Sequence, residues 1–169
     1  MTSQIAYSDF TGEFRLDLNA GEQAKLALYI AQYQEELLLK LFGRNLYASF
    51  DVTPVPAKWT EIITPGTTYY SYQNYSYKYP GIDRMLVAYV YFKWNWIETT
   101  QSTPQGETRS TSTNGEAAFN TPKQVKAWNE MRRLYYEVVN YINYKNSLVT
   151  DYFDDFEYEK IEKINSFDI

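Results

Sequence analysis

PGIDRMLVAYVYFKWNWIET, residues 80–99, is the stretch that decides the fold. Pro80-Gly81 is a turn signal. Beyond it, Met85, Leu86, Tyr89, Phe92 and Trp96 recur at helical spacing on one face, and Val87, Val90, Tyr91 and Trp94 fill much of the remainder. A helix that is apolar nearly all round belongs at the centre of its fold or between subunits. The rest of the chain must supply what surrounds it.

Working outward toward the C-terminus, the next segment is its opposite: TTQSTPQGETRSTSTNGEAAFNT, residues 99–121. Only Ala117, Ala118 and Phe119 are apolar. Loops beyond about 12–15 residues without structure of their own are uncommon, and those that occur tend to be functional or disordered. This one is too hydrophilic to bury itself, so another molecule is expected to order it. Its candidate contact residues are Thr103, Pro104, Gln105, Gly106, Glu107, Arg109 and Phe119. Thr121-Pro122-Lys123-Gln124 then opens a further helix with an N-cap, a Pro at N1 and a Gln at N3. Val125, Trp128, Met131, Tyr135, Val138 and Ile142 mark its apolar face, and its end is expected near Asn146.

Toward the N-terminus, residues 67–79 (TTYYSYQNYSYKY) alternate Tyr with polar residues around Gln73-Asn74. That pattern predicts a β-hairpin, with Tyr70, Tyr72, Tyr75 and Tyr77 as candidate interface residues. Two strands alone are marginal in water, so the hairpin needs the helices or a neighbour beneath it. Trp59, Ile62 and Ile63 predict a short helical turn ahead of Pro65-Gly66. Before that, Leu26, Ile30, Tyr33, Leu37 and Leu41 predict a long helix. Asn19 is its N-cap, with Glu22 in capping-box spacing. Gly43 is placed to end it, and a second short helix fits Asn45 to Phe50. Glu36 and Lys40 are spaced as an i,i+4 pair on its wet side.

The chain ends differently from its body. Residues 1–150 hold 14 basic and 14 acidic residues, whereas 151–169 hold seven acids against Lys160 and Lys163. Phe153, Phe156, Ile161, Ile164 and Phe167 fall within an arc of about 140° on a helical wheel. This predicts an acidic amphipathic tail that docks a partner, or folds back on its own body. The fold class expected is mainly α: a bundle of about four helices with a Tyr-rich β-hairpin, a long polar loop and extended terminal arms. The chain divides into an N-terminal arm (1–18), a helical domain (19–146, with its loop at 99–121) and the tail (147–169).

Composition narrows the function. The 169 residues contain no Cys and no His. Disulfides, thiolate metal sites, and Ser-His-Asp or Cys-His nucleophilic mechanisms are therefore excluded. Glu35-Glu36 and Asp154-Asp155 are adjacent, and neighbours on a helix point about 100° apart, so neither pair can flank a scissile bond as glycosidase carboxylates do. The spacing of Asp151, Asp154, Asp155 and Glu157 is not that of a Ca²⁺ loop. The glycines are scattered singly, so there is no phosphate-cradling loop. No cofactor, metal or catalytic group is expected. With no basic stripe, tight DNA binding is not expected either. MTSQIAYSDF lacks the features of a signal peptide, and no apolar run is long enough to span a membrane. The 18 Tyr, 9 Phe and 4 Trp suit surfaces covered by partners, or a Tyr-rich core.

Taken in order, several features resemble a known family. They are Lys40-Leu41-Phe42-Gly43 with Leu46-Tyr47; Trp59 ahead of the aromatic excursion; Pro80-Gly81-Ile82 opening an apolar helix with Tyr89, Tyr91 and Phe92; Thr103 to Glu107 (TPQGE); and Trp128-Asn129. The chain resembles the head-to-tail connector (adaptor or ring) proteins of tailed bacteriophages, of the crAss-like type, over roughly residues 26–146. The resemblance implies a non-enzymatic virion protein at the head-tail junction, present in the host cytoplasm during assembly. It implies a closed ring of about twelve copies beneath the portal protein. Other connector or tail proteins would dock on that ring, and DNA would pass through it without specific binding. Read from its residues alone, a sugar-binding or tail accessory module with an exposed Tyr/Trp surface is the alternative, and a carboxylate-dependent hydrolase is a more distant one.

Overall fold

The computed structural model describes residues 4–52, 56–66, 68–70, 76–103, 106–109, 121–149, 152–153 and 155–164. Among them are four helices: α1 (Ala20–Phe50), α2 (Ala57–Ile63), α3 (Asp83–Thr99) and α4 (Thr121–Leu148). Two antiparallel hairpins accompany them: β1 (Thr68–Tyr70) with β2 (Ser76–Lys78), and β3 (Thr100–Thr103) with β4 (Gly106–Arg109).

α3 is the central element. Every residue from Met85 to Tyr91 is buried, as its unbroken apolar run requires. Each large side chain in that run contributes roughly 1.5–3 kcal/mol when fully buried. α1 and α4 each pack on α3 in antiparallel fashion. On one side Tyr29 meets Trp94 at 5.2 Å, and Tyr33 meets Tyr89 at 6.4 Å. On the other, Phe92 meets Trp128 at 5.0 Å, and Tyr79, just ahead of α3, stacks on Tyr141 at 4.2 Å.

Local signals set the helix ends. Asn19 accepts from the Glu22 backbone N–H at 3.0 Å, and the Glu22 carboxylate accepts from the Asn19 N–H at 2.9 Å, closing the capping box. Gly43 (φ +68°) divides α1 into two helical segments. On α4 the buried stripe is Gln124, Ala127, Met131, Leu134, Tyr135, Val138, Val139, Tyr141 and Ile142. Val125 and Trp128, expected on that face, are half-buried at its edge. Glu36 and Lys40 turn to other elements: Glu36 accepts from the Tyr89 hydroxyl at 2.6 Å and pairs with Lys93, while Lys40 pairs with Glu159.

The N-terminal arm is laid on the body. Residues 7–9 and 12–14 form 3-10 turns, and Ile5, Phe10 and Phe14 are buried. The Phe14 ring sits 5.4 Å from that of Tyr91. An arm with three apolar anchors gains more from covering α3 than from extending into water.

Gly81 is a backbone requirement of the turn into α3. Its φ is +74°, and a Cβ there would lie 2.8 Å from the Ile63 carbonyl oxygen. Gly81→Ala is expected to destabilise the chain by about 2–3 kcal/mol, through the positive φ and the displaced backbone. The midpoint of urea unfolding measures this, and an unchanged midpoint would contradict the turn geometry.

Candidate assembly interface

The three elements expected to make contacts lie in different places. The β1–β2 hairpin sits where α3 begins and α4 ends. Its register pairs Thr68 with Lys78, Tyr69 with Tyr77 and Tyr70 with Ser76. Tyr69 is buried, with its ring 5.4 Å from Tyr141 and 5.8 Å from Tyr144. Tyr77, directly opposite, is 46% exposed. Tyr70 occupies the next register position, while Tyr72 and Tyr75 lie outside the described residues. The hairpin is thus seated on the helices, with Tyr77 at its outer edge.

The polar segment begins as a ladder of its own. Thr100 pairs with Arg109, Gln101 with Thr108, Ser102 with Glu107 and Thr103 with Gly106. Over residues 100–103 and 106–109 the ladder forms within the chain itself, without the other molecule expected to order it. Thr and Ser tolerate strand conformation, and a backbone ladder satisfies its own N–H and C=O groups without apolar burial. Neither strand carries a large apolar side chain, so this hairpin has no hydrophobic face to settle on a body. Thr103, Gly106, Glu107 and Arg109 lie on it; Pro104, Gln105 and Phe119 lie outside the described residues. Because β3 follows α3 directly, the two hairpins mark opposite ends of that helix, roughly 25 Å apart at about 1.5 Å per residue.

Trp96 stands one turn before β3 and is 39% exposed, stacked on half-buried Phe92 at 6.2 Å. Phe92 in turn touches Trp128. Trp96 is thus partly in water at the base of a polar hairpin, which the wheel pattern did not foresee. It points in the same direction as Met85, but the core thins out toward the end of α3.

The tail folds back on its own body, the second of its two expected fates, but without the helix its apolar spacing suggests. Residues 155–164 run as a strap antiparallel to α4. Phe153 and Ile161 are buried in this chain's own core, Phe156 and Ile164 are half-buried, and Phe167 lies outside the described residues. Phe153 and Ile161 therefore do not form an outward docking face while the strap is seated. Phe153 packs 5.0 Å from Trp59. Asn146 pairs with both the N–H and the C=O of Phe153, at 2.9 and 3.3 Å. Asn129 does the same for Ile164, at 3.2 and 2.8 Å. Between them, Tyr136 exchanges bonds with both backbone groups of Ile161, and Arg132 Nε, Trp128 Nε1 and the Tyr135 hydroxyl donate to Ile161, Glu162 and Glu159 carbonyls. α1 joins through the Lys40 carbonyl, which accepts from the Glu159 N–H at 2.7 Å.

The aromatic content serves the core. Among the described residues eight tyrosines are buried. Trp59 and Tyr69, which a sugar-stacking platform would need at the surface, are 0% and 3% exposed. A cleft of about 390 Å³ is lined by Glu13, Asp17, Lys123 and Lys126 beside Phe14, and one of about 310 Å³ by Arg44, Asp155 and Glu157 beside Gly43. Among the described residues no helix is long and apolar enough to cross a membrane. No protein-family model, curated protein or solved structure matches this chain.

Proposed function

We propose that this chain is a structural subunit of a phage head-to-tail connector, one copy in a ring that joins the portal to the tail and lets DNA pass. The observation that carries the reading is the β3–β4 hairpin. It is a wholly polar ladder at one end of a packed helical body, with half-exposed Trp96 at its base. The outer edges of a two-stranded ladder carry unpaired backbone groups that can pair with another chain, and Trp is favoured at the centre of interfaces. A body with as many basic as acidic residues gives passing DNA no phosphate clamp. The contact partners are neighbouring copies, the portal and the next connector or tail layer.

Replacing residues 100–120 by a short Gly/Ser linker tests this, because antiparallel neighbours such as α3 and α4 need only about 2–8 connecting residues. The shortened chain is expected to fold with its thermal midpoint nearly unchanged, and to lose association with portal-containing capsids. Retained association would remove the hairpin from the interface and the main support for the reading. Tryptic cleavage after Arg109 is expected to be fast in the free protein and suppressed in the assembly.

A further inference from the structure

The strap is bound much as a receptor binds a peptide. Two asparagines on one helix, 17 positions apart, each hold both backbone groups of a single strap residue. Tyr136 does so for a third. Contacts of this kind read an extended main chain, whatever covalent path brought it there. Among the described strap residues, Phe153 and Ile161 are the two that are deeply buried. α4 ends at Leu148, and the chain has already doubled back by Phe153, so the strap reaches its groove through a tight reversal. Leu148 and Val149, at that reversal, are 60% and 51% exposed. The closed arrangement leaves two apolar side chains in water where a chain that continued outward would meet a neighbour.

We propose that the groove between α1 and α4 takes residues 152–164 of a second copy of this chain, so that tails are exchanged between subunits. Every groove contact is identical in the exchanged form. The balance is set by the reversal at Leu148–Val149 and by the local concentration of neighbours. Exchange would bury the exposed pair at the junction and link subunits without a preformed flat interface. The inference requires a second copy but no portal, so it can fail with the connector reading intact.

The absence of Cys from the chain makes the test direct. One copy carries Lys40→Cys and another carries Glu159→Cys, at positions whose backbones are bonded at 2.7 Å. The two are unfolded together, refolded as a mixture at high concentration and treated with a short bis-maleimide. A mixed product of twice 20.0 kDa is expected. Inserting about ten Gly/Ser residues after Val149 in both copies relieves the reversal and leaves every groove contact in place, so it is expected to lower the mixed yield severalfold. Absence of the mixed product overturns the proposal, and so does a yield that the insertion leaves unchanged, which marks random collision.

Discussion

Trp59→Ala is expected to destabilise the protein by about 3–5 kcal/mol, the range for removing a buried large aromatic. In a chain of this size that lowers the thermal midpoint by roughly 10–15 °C. Trp59 is fully buried. Its ring lies 5.0 Å from Phe42, 5.3 Å from Phe50 and 5.0 Å from Phe153. Phe42 precedes the Gly43 break and Phe50 follows it, so the indole fixes the angle between the two parts of α1. Phe153 anchors the strap. One side chain on a seven-residue helix therefore joins the two parts of α1 to a strap about a hundred positions further along the chain.

The loss should be uneven, which distinguishes it from general weakening. Hydrogen exchange at 153–161 is expected to rise more than exchange in α3, because the strap loses its aromatic anchor while α3 keeps its own packing. Trp59→Phe should cost much less. The indole N–H is buried and has no acceptor among the described residues, so Phe removes an unsatisfied donor along with some volume. A Trp59→Ala variant within 1 kcal/mol of the parent would mean that this aromatic cluster does not hold the α1 break and the strap together.

What could be read in the sequence was local. The Asn19–Glu22 box, the Gly43 break and the existence of the β1–β2 hairpin, though not its register, each depend on residues within about ten positions of one another. The tail depended on residues far away. Its apolar spacing fits a helix, but a helical 152–164 would give up the bonds offered by Trp128, Asn129, Arg132, Tyr135 and Tyr136, which are 24–35 positions earlier. Asp155, at φ +57°, takes the chain out of helical geometry at its start. Propensity is a weak prior beside such a set of tertiary bonds. The β3–β4 ladder was missed for a different reason. Strand readings lean on alternating apolar residues, and TQST and GETR have none. Trp96 carried a helical signal that was right in direction and silent about where the core ends.

Alkaline unfolding follows from the tyrosines that fill this core. Tyr79, Tyr89 and Tyr135 are at most 2% exposed. Burial pushes the hydroxyls of all three well above their ordinary value of 10; the Glu36 carboxylate adds to this at Tyr89, and the charge of Glu159 at Tyr135. Tyr47 is raised to about 12 by burial, with Glu35 and Asp51 adding to the effect. Below pH 10 the folded and unfolded chains both keep these protons, and stability is insensitive to them. Above pH 10 the unfolded chain releases them and the folded chain does not, so stability falls as pH rises toward the folded-state values. Each fully retained proton costs about 1.4 kcal/mol by pH 11. Three cost about 4 kcal/mol, a large share of the roughly 5–15 kcal/mol available to a domain. With no His, the chain has few groups that titrate between about pH 6 and 9. The thermal midpoint should be nearly level there and drop steeply between about pH 10.5 and 12. The part of the phenolate absorbance that is lost in Tyr79→Phe, Tyr89→Phe or Tyr135→Phe variants should appear together with loss of helical circular dichroism, because those protons can leave only when the core opens. Tyr89→Phe removes one linked proton, so the slope of stability against pH above 10 should become shallower by about 1.4 kcal/mol per unit. If that part of the absorbance instead grows from pH 10 while the helices persist, those hydroxyls are reached by water in the folded chain, and the aromatic centre built on Tyr79, Tyr89 and Tyr135 is looser than its contacts require.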